Sequence, residues 1–257
     1  NHAAMSPLSQ PVQEAVLRCM DGFAADGLLA LYSGQDQRHR LKDKLAALIG
    51  ANAEDIALVP STTRGIVDIA LCFPWNPGDR VVAFEGEFPT NVTPWQRVAE
   101  LYHLDLVLLS AAEFRNDETK AFEHLAKELR AETRLVAVSA VEFQTGFTMP
   151  IREITELCHL SGTQVFVDAI QAVGVLPMNV KEWGIDYLAC GSHKWLMAMD
   201  GVAFVYATPA QASKLRPNVA GWLSHEEATK FLLDGPGHLS YDRPVRKTID
   251  FLESSSL

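Results

Sequence analysis

Residues 165–174 read VFVDAIQAVG, and residues 187–195 read YLACGSHKW. Each stretch opens with an apolar run of strand length and ends in small or polar residues. A strand that is apolar throughout is typical of a sheet covered on both faces, because a half-exposed strand alternates apolar and polar residues. The two stretches therefore predict buried strands with polar side chains at their carboxyl ends.

Apolar strands and amphipathic helices alternate along most of the remaining chain. Strands are predicted at 56–59, 81–84, 106–109, 135–141, 165–167, 186–190 and 202–206, and helices at 9–26, 36–49, 65–73, 91–101, 117–130 and 151–161. This order predicts an α/β fold of three layers, in which a mainly parallel sheet is covered by helices on both faces. The last strand follows its predecessor after a short connection, which allows an antiparallel pairing there.

Ligands of such sheets bind beyond the carboxyl ends of the strands. Four segments of this chain are expected at such ends, namely 61–65, 87–91, 168–171 and 191–194. Their side chains are therefore the first candidates for a functional site.

The composition narrows the class of protein. The chain has 257 residues, of which 48% are hydrophobic and 21% charged, as is ordinary for a globular protein. Its formal net charge of −10 argues against nucleic acid or an anionic membrane as the main partner, because both need basic clusters. No apolar run approaches the roughly 18 residues that span a bilayer, and no secretory signal is visible.

The four cysteines are Cys19, Cys72, Cys158 and Cys190, and they form no C-x-x-C pair. Neither a metal site nor a disulfide framework is therefore predicted, and a reducing cytosol is the expected compartment. All four side chains are expected to be buried structural thiols.

Two residues at strand ends are candidates for chemistry. Asp168 directly ends a buried strand, with Gln171 three residues on; such a carboxylate caps a helix, acts in catalysis or pairs with a cationic ligand. Lys194 follows the next strand. Partial burial and nearby cationic character would lower its pKa, which an amine needs to form a Schiff base, whereas a lysine that reaches solvent would have no such role.

The turn Ser61-Thr62-Thr63-Arg64-Gly65 opens a helix. Hydroxyls and free N–H groups at a helix N-terminus make a phosphate site, although ordinary capping explains the turn equally well. Neither G-x-x-x-x-G-K-S/T nor G-x-G-x-x-G occurs, which disfavours a plain nucleotide-binding domain. A phosphate cradle, a carboxylate and a lysine at successive strand ends together match what pyridoxal 5′-phosphate (PLP) requires for its phosphate, its pyridine nitrogen and its aldehyde.

With these motifs the sequence resembles the class V aminotransferases, a PLP-dependent family that includes cysteine desulfurases, selenocysteine lyases, kynureninases and isopenicillin N epimerase-like proteins. The matching pieces, in the family's order, are NHAA at 1–4, STTRG at 61–65, EFPTNVTPWQ at 87–96, VDAIQAVG at 167–174 and GSHKW at 191–195. The last two motifs at their mutual spacing are highly specific. The resemblance implies the type I fold of PLP-dependent transferases.

The resemblance also implies a role for each matching position. Lys194 would carry PLP as a Schiff base and, once freed, act as general base, while Asp168 would pair with the pyridinium nitrogen. Gln171 would hydrogen-bond the phenolic oxygen of PLP, and Phe88 would stack on its ring. The residues expected at the phosphate are Thr62, Thr63, Ser192 and His193.

Three features depart from the family pattern. Phe88 stands where desulfurases usually carry a histidine that takes part in proton transfer, which makes a cysteine desulfurase less favoured. Arg64 stands where relatives often carry glutamate. The asparagine that many relatives place near the phenolic oxygen has no obvious equivalent, and Glu142 and Gln144 are the two alternatives.

The predicted organisation is a PLP-binding large domain over residues 1–250, on which an N-terminal segment, 1–30, packs. Residues 251–257 would begin a small C-terminal domain, because FLESSSL resembles the stretch that precedes this domain in relatives. The resemblance places the arginine that clamps the substrate carboxylate beyond this stretch.

The leading hypothesis is a PLP-dependent enzyme that acts on an amino acid or amine in an aminotransferase-like reaction. A PLP-dependent lyase reaction of the desulfurase, selenocysteine lyase or kynureninase kind, an epimerisation, and a non-catalytic scaffold or regulatory domain stay open as alternatives. The resemblance further implies a homodimer in which Ala220-Gly221-Trp222 contributes to the partner's site. Neither a metal, nor nucleic acid, nor a membrane is expected as a partner.

Overall fold

The structure is a computed structural model that describes residues 1–27, 29–230 and 241–254, with the backbone alone at 31–35. The strands are β1 (Ile56–Val59), β2 (Arg80–Glu85), β3 (Asp105–Ser110), β4 (Thr133–Ser139), β5 (Gln164–Asp168), β6 (Tyr187–Gly191) and β7 (Ala203–Ala207). The helices are α1 (Gln10–Asp26), α2 (Leu29–Ile49), α3 (Thr62–Cys72), α4 (Thr93–Tyr102), α5 (Ala111–Asn116), α6 (Glu118–Glu128), α7 (Ile151–Leu160) and α8 (Pro209–Ala212).

Within the described residues, the strands form a seven-stranded sheet with the order β1-β7-β6-β5-β4-β2-β3. The pairs β2–β3, β2–β4, β4–β5 and β5–β6 are parallel, whereas β7 runs antiparallel to both β6 and β1. The prediction of a mainly parallel sheet is therefore confirmed. The short connection before β7 allowed an antiparallel pairing with β6, and the structure has this pairing.

The sheet is buried between two separate apolar cores. Along β5, Val165 and Val167 belong to the core beneath α2, α6 and α7, while Phe166 points into the core beneath α3 and α4. There Phe166 meets Trp95 of α4, with 5.4 Å between ring centroids. Because adjacent residues of a strand point to opposite faces, a strand covered on both sides must be apolar throughout. The three-layer architecture is confirmed.

Some predicted boundaries differ from those of the structure. Helix α2 begins at Leu29 rather than at 36, and α5 was not expected from the pattern. The helix predicted at 91–101 consists of a 3-10 turn, Pro89–Asn91, followed by α4, whose first turn contains a proline. Proline is compatible with the first helical turn but not with a helix that continues on its N-terminal side.

The expectation that all four cysteines are buried is wrong for Cys19, which is exposed, whereas Cys72, Cys158 and Cys190 are buried and unpaired. Cys19 lies on α1, which has no buried residue, and Met20 beside it is 63% exposed. The apolar spacing of α1 predicted the helix correctly, but within the described residues this helix leaves its side chains open to solvent.

The end of the described chain packs against the sheet. Phe251 and Leu252 are buried in the core beneath α3 and α4. The Glu253 carboxylate accepts hydrogen bonds from Arg38 and from the backbone N–H of Leu58, and it pairs with Lys42 at 2.5 Å. Residues 255–257 of the stretch expected to begin a second domain lie outside the described residues, and the predicted domain boundary stays a prediction.

No helix among the described residues is long and apolar enough to span a lipid bilayer.

Candidate active site

Residues from all four predicted strand-end segments line a pocket of about 630 Å³. The pocket lies beyond the carboxyl ends of β5 and β6, where α/β sheets bind their ligands. Its lining residues are Asn1, Ala3, Ala4, Ser61, Thr62, Thr63, Phe88, Thr90, Phe143, Asp168, Ile170, Gln171, His193, Lys194 and Asp200.

Asp168 is the buried carboxylate of the pocket. Its side chain is 3% exposed, and Oδ1 accepts a hydrogen bond of 3.0 Å from the backbone N–H of Ile170. Burial raises the pKa of Asp168 to about 6, while the Ile170 N–H and the charge of Lys194 act in the opposite direction. Burial has removed water from this carboxylate and left it one hydrogen bond. A cation beside it would offset that loss, so the site favours a cationic ligand.

Lys194 follows β6 and is half-buried, with Nζ 5.8 Å from the ring centroid of Phe88. Burial lowers the pKa of this amine, which favours the neutral, nucleophilic form. The predicted cationic neighbours do not supply this effect: the charges that act on Lys194 are those of Asp168 and Cys190, and both raise its pKa. Of the two predicted causes of a lowered pKa, burial is confirmed and cationic neighbours are not.

The N-terminus of α3 forms one wall of the pocket. Ser61 caps the helix by accepting from the backbone N–H of Arg64 at 3.0 Å. The hydroxyl of Thr62 is buried without any hydrogen-bond partner, and that of Thr63 lies 2.5 Å from the hydroxyl of Thr90. A buried hydroxyl at a helix N-terminus, where N–H groups are also unpaired, is suited to an anionic ligand.

Gly191 keeps space open beside this wall. A Cβ atom at position 191 would lie 2.9 Å from Thr62 Oγ1 and 3.2 Å from the ring of His193. The His193 ring in turn lies 3.4 Å from the carboxylate of Asp200. A side chain at position 191 would therefore crowd both Thr62 and His193.

The N-terminal segment closes the pocket over Gln171. The Gln171 side chain donates to the carbonyl of Ala3 and accepts from the indole N–H of Trp195, both at 2.9 Å. The backbone N–H of Ser6 donates to the carbonyl of His193, and the His2 ring stacks on Trp195. The NHAA stretch, a weak signal by itself, therefore belongs to the pocket.

Seven of the eight predicted site residues line this one pocket, and Ser192 does not. Its hydroxyl donates to the carbonyl of Met199 at 2.7 Å, which stabilises the turn after β6. Sequence reasoning missed Thr90 and Phe143 as lining residues. Thr90 lay within the quoted stretch 87–96, whereas nothing in the pattern around Phe143 marked it.

Neither residue considered as a replacement for the family's asparagine lines the pocket. Glu142 accepts hydrogen bonds from Arg115 at 2.6 Å and from Thr145. Phe143, between the two candidates, points its ring at Phe88 instead, with centroids 5.3 Å apart and an interplanar angle of 82°. Phe88 and Phe143 thus form an aromatic wall of the pocket.

Arg64 has a local role. Its Nε donates to Oδ1 of Asp68 at 2.7 Å, one helical turn further along α3. Asp68 is buried, and its other oxygen has no hydrogen-bond partner. Burial raises the pKa of Asp68 to about 6, and the Arg64 guanidinium lowers it. Arg64 therefore stabilises a buried carboxylate.

No group of three or more histidine, cysteine or acidic side chains among the described residues is arranged to hold a metal ion.

The sequence and the fold were compared with known proteins. The family model "Aminotransferase class-V" matches residues 10–228. An uncharacterized aminotransferase of Bacillus subtilis, YcbU, is 30% identical over 229 residues, which is 87% of this chain and 58% of that protein. Isopenicillin N epimerase of Streptomyces clavuligerus is 26% identical over 181 residues, or 70% of this chain and 46% of the epimerase. The chain spans about half the length of these curated relatives.

Among solved structures, a mutant of C-DES with glycine covalently linked to its PLP cofactor has a TM-score of 0.88 at 22% identity. The match covers 100% of this chain and 66% of C-DES, and at this identity it shows the fold alone. The fold is that of the large domain of type I PLP-dependent enzymes. With the family model matched over most of its length, the chain belongs to the aminotransferase class-V family.

Proposed function

We propose that the pocket binds PLP and that the protein is a PLP-dependent enzyme acting on an amino acid or amine in an aminotransferase-like reaction. The observation that carries this proposal is that one pocket holds both a half-buried amine, Lys194, and a buried carboxylate, Asp168. The partnerless Thr62 hydroxyl at the N-terminus of α3 supplies the third element.

The residues of the pocket fit the parts of PLP. The α3 N-terminus with Thr62 and Thr63, and His193 across the space that Gly191 leaves open, suit a phosphate. Asp168 suits a protonated ring nitrogen, since a cation offsets the effect of its burial. The aromatic wall offers a face against which a flat ring packs.

When bound, PLP supplies a protonated pyridine ring that withdraws electrons from the α-carbon of the substrate. The carboxylate of Asp168 keeps that proton on the ring nitrogen. The amine of Lys194 would hold the cofactor at its aldehyde, and when free it would take and return the proton at the α-carbon of the substrate. Gln171, held by Ala3 and Trp195, has one remaining amide hydrogen for a ring substituent.

A lyase is the second candidate, because the same amine and carboxylate serve elimination as well as transamination. C-DES, which shares the fold with a TM-score of 0.87, is described as a cystine C–S lyase. Phe88 argues against desulfurase chemistry in particular, because a phenyl ring transfers no proton at the position where desulfurases usually have a histidine.

The visible absorption spectrum tests the proposal. Protein mixed with PLP is expected to show the absorption band of a lysine-bound cofactor, and Lys194→Ala is expected to lack it. Lys181→Ala is the matched control, since Lys181 hydrogen-bonds Asn52 at an exposed site away from the pocket. If the band survives in Lys194→Ala, and borohydride reduction leaves the cofactor covalently bound to a different lysine, the assignment is refuted.

The remaining expectations concern assembly and compartment. We propose a homodimer in which Ala220-Gly221-Trp222 contributes to the partner's site, as the family resemblance implies. Sedimentation measures the mass, and PLP binding unaffected by both Trp222→Ala and dissociation would contradict the shared site. A cytoplasmic location is proposed as well, supported by three buried unpaired thiols; cell fractionation tests it.

A further inference from the structure

Glu87 is a partly buried carboxyl beside the pocket that the proposed chemistry does not use. It lies between β2 and the turn that carries Phe88 and Thr90. Its Oε1 accepts from the backbone N–H of Ser139 at 2.6 Å, and its Oε2 accepts from the Ser139 hydroxyl. Two hydrogen bonds to one residue fix the direction of this carboxyl.

Ser139 connects Glu87 to Asp168 across the sheet. In the sheet order β5-β4-β2, the end of β4 lies between the ends of the other two strands. Ser139 of β4 is the register partner of Asp168 of β5, and the backbone N–H of Ala140 donates to the Asp168 carbonyl at 2.9 Å. Glu87, two residues after β2, and Asp168, the last residue of β5, therefore both lie next to Ser139.

We propose that Glu87 is a positioning residue: it ties the Phe88 turn to the end of β4, and its negative charge strengthens the hold of Asp168 on a protonated ring nitrogen. The inference rests on the proposed function, because the ring nitrogen belongs to PLP. It assigns no contact between Glu87 and the cofactor; Glu87 acts through Asp168.

The surroundings of Glu87 make this charge variable at neutral pH. Burial raises its pKa to about 7, and Asp168 contributes in the same direction, while Ser139 and the amide of Asn91 lower it. These are the polar groups that face Glu87 from β4, from β5 and from its own turn; Lys194, from the loop after β6, acts on Asp168. Ionised Glu87 adds a second negative charge behind Asp168, so the proton between Asp168 and the ring nitrogen is held more tightly.

The test measures the binding of 4′-deoxypyridoxine 5′-phosphate, which cannot react with Lys194. Its dissociation constant is measured by tryptophan fluorescence for wild type and Glu87→Gln between pH 6 and pH 8. Glutamine keeps the acceptor for the Ser139 N–H but cannot ionise. The dissociation constant of Glu87→Gln divided by that of wild type is expected to rise from about 1 at pH 6 to about 10 at pH 8. A factor of this size is the effect that a nearby buried charge has on a titrating group.

Two controls separate charge from shape. With an analogue that carries carbon in place of the ring nitrogen, the ratio is expected to stay constant with pH. Ser139→Ala loses a hydrogen bond that lowers the pKa of Glu87. The pH at which binding of the analogue tightens is therefore expected to be higher than in wild type. This variant carries the test if Glu87→Gln does not fold.

A ratio that does not change with pH, with normal binding by wild type, overturns the inference and leaves the proposed function intact. Failure of wild type to bind the analogue at any pH overturns both. The two failures are therefore distinguishable.

Discussion

The burial of Asp168 leads to an unusual prediction: Asp168→Asn should stabilise the protein in the absence of PLP. The rise of the pKa of Asp168 from 3.8 to about 6 means that the ionised carboxylate is less stable in the folded chain than in the unfolded chain. At about 1.4 kcal/mol per pH unit, the ionised side chain lowers the free energy of unfolding by about 3 kcal/mol at pH 7.

The sign of the pH dependence follows from proton binding. Between pH 3.8 and about 6 the folded state binds more protons at Asp168 than the unfolded state does, so stability falls as the pH rises and levels off above the folded pKa. Asparagine keeps the oxygen that accepts from the Ile170 N–H but does not ionise. The advantage of Asp168→Asn should therefore grow from about 1.5 kcal/mol at pH 5 to about 3 kcal/mol at pH 7.

Urea denaturation of the PLP-free protein, followed by tryptophan fluorescence, measures both values. Asp186→Asn is the matched control: Asp186 is also buried, but it accepts from His159, from the Val165 N–H and from Gln211. Replacing such a satisfied carboxylate is expected to destabilise the fold. Added PLP should reverse the order for Asp168, since only the carboxylate pairs with the ring nitrogen. Equal stability of Asp168→Asn and wild type at every pH would refute the reasoning.

Three further predictions concern the cradle and a distant ion pair. Thr62→Val should leave the PLP-free protein as stable or raise its free energy of unfolding by about 1 kcal/mol, because the lost hydroxyl has no partner; calorimetric titration should show weaker PLP binding and unchanged binding of pyridoxal, which has no phosphate. Gly191→Ala should destabilise by about 1–3 kcal/mol, because its Cβ would approach Thr62 and His193 too closely, and it should also weaken PLP binding; wild-type values in urea and PLP titrations would contradict this. The hydrogen bond with Asp186 raises the pKa of His159 above 6.5. The stability contributed by protonated His159 is therefore full below pH 6.5 and is lost as the pH rises through the raised pKa. Thermal melts should show His159→Gln less stable than wild type at pH 6 but not at pH 9.

The fold was predictable because its signal is local and repeated. The apolar run of β5, for example, is required by two covering layers, and the same requirement recurs in β4 and β6. The surroundings of α1 were not predictable in this way. Apolar residues at helical spacing predict a helix but do not show what packs against it. The exposure of Cys19 could therefore not be predicted from the pattern.

The site was predictable where a motif fixes both residue and strand end. Asp168 ends β5, Lys194 comes three residues after β6, and both line the pocket as predicted. Ser192 belongs to the same motif as Lys194, yet its hydroxyl turns to the Met199 carbonyl, a choice that depends on the path of the following loop. Phe143 enters the pocket from the turn after β4, and its position depends on packing against Phe88 rather than on its neighbours in sequence.

The buried polar groups of this fold differ in a way that separates structure from function. Asp186 has three hydrogen-bond donors, and it fits its place without any ligand. Asp168 has one backbone donor, Thr62 Oγ1 has none, and the pKa of Lys194 is lowered by burial. Each of these three groups weakens the folded state when the pocket is empty. A ligand with an anionic end, a cationic ring nitrogen and an aldehyde satisfies all three at once, and the stability of Asp168→Asn measures how much of that cost one carboxylate contributes.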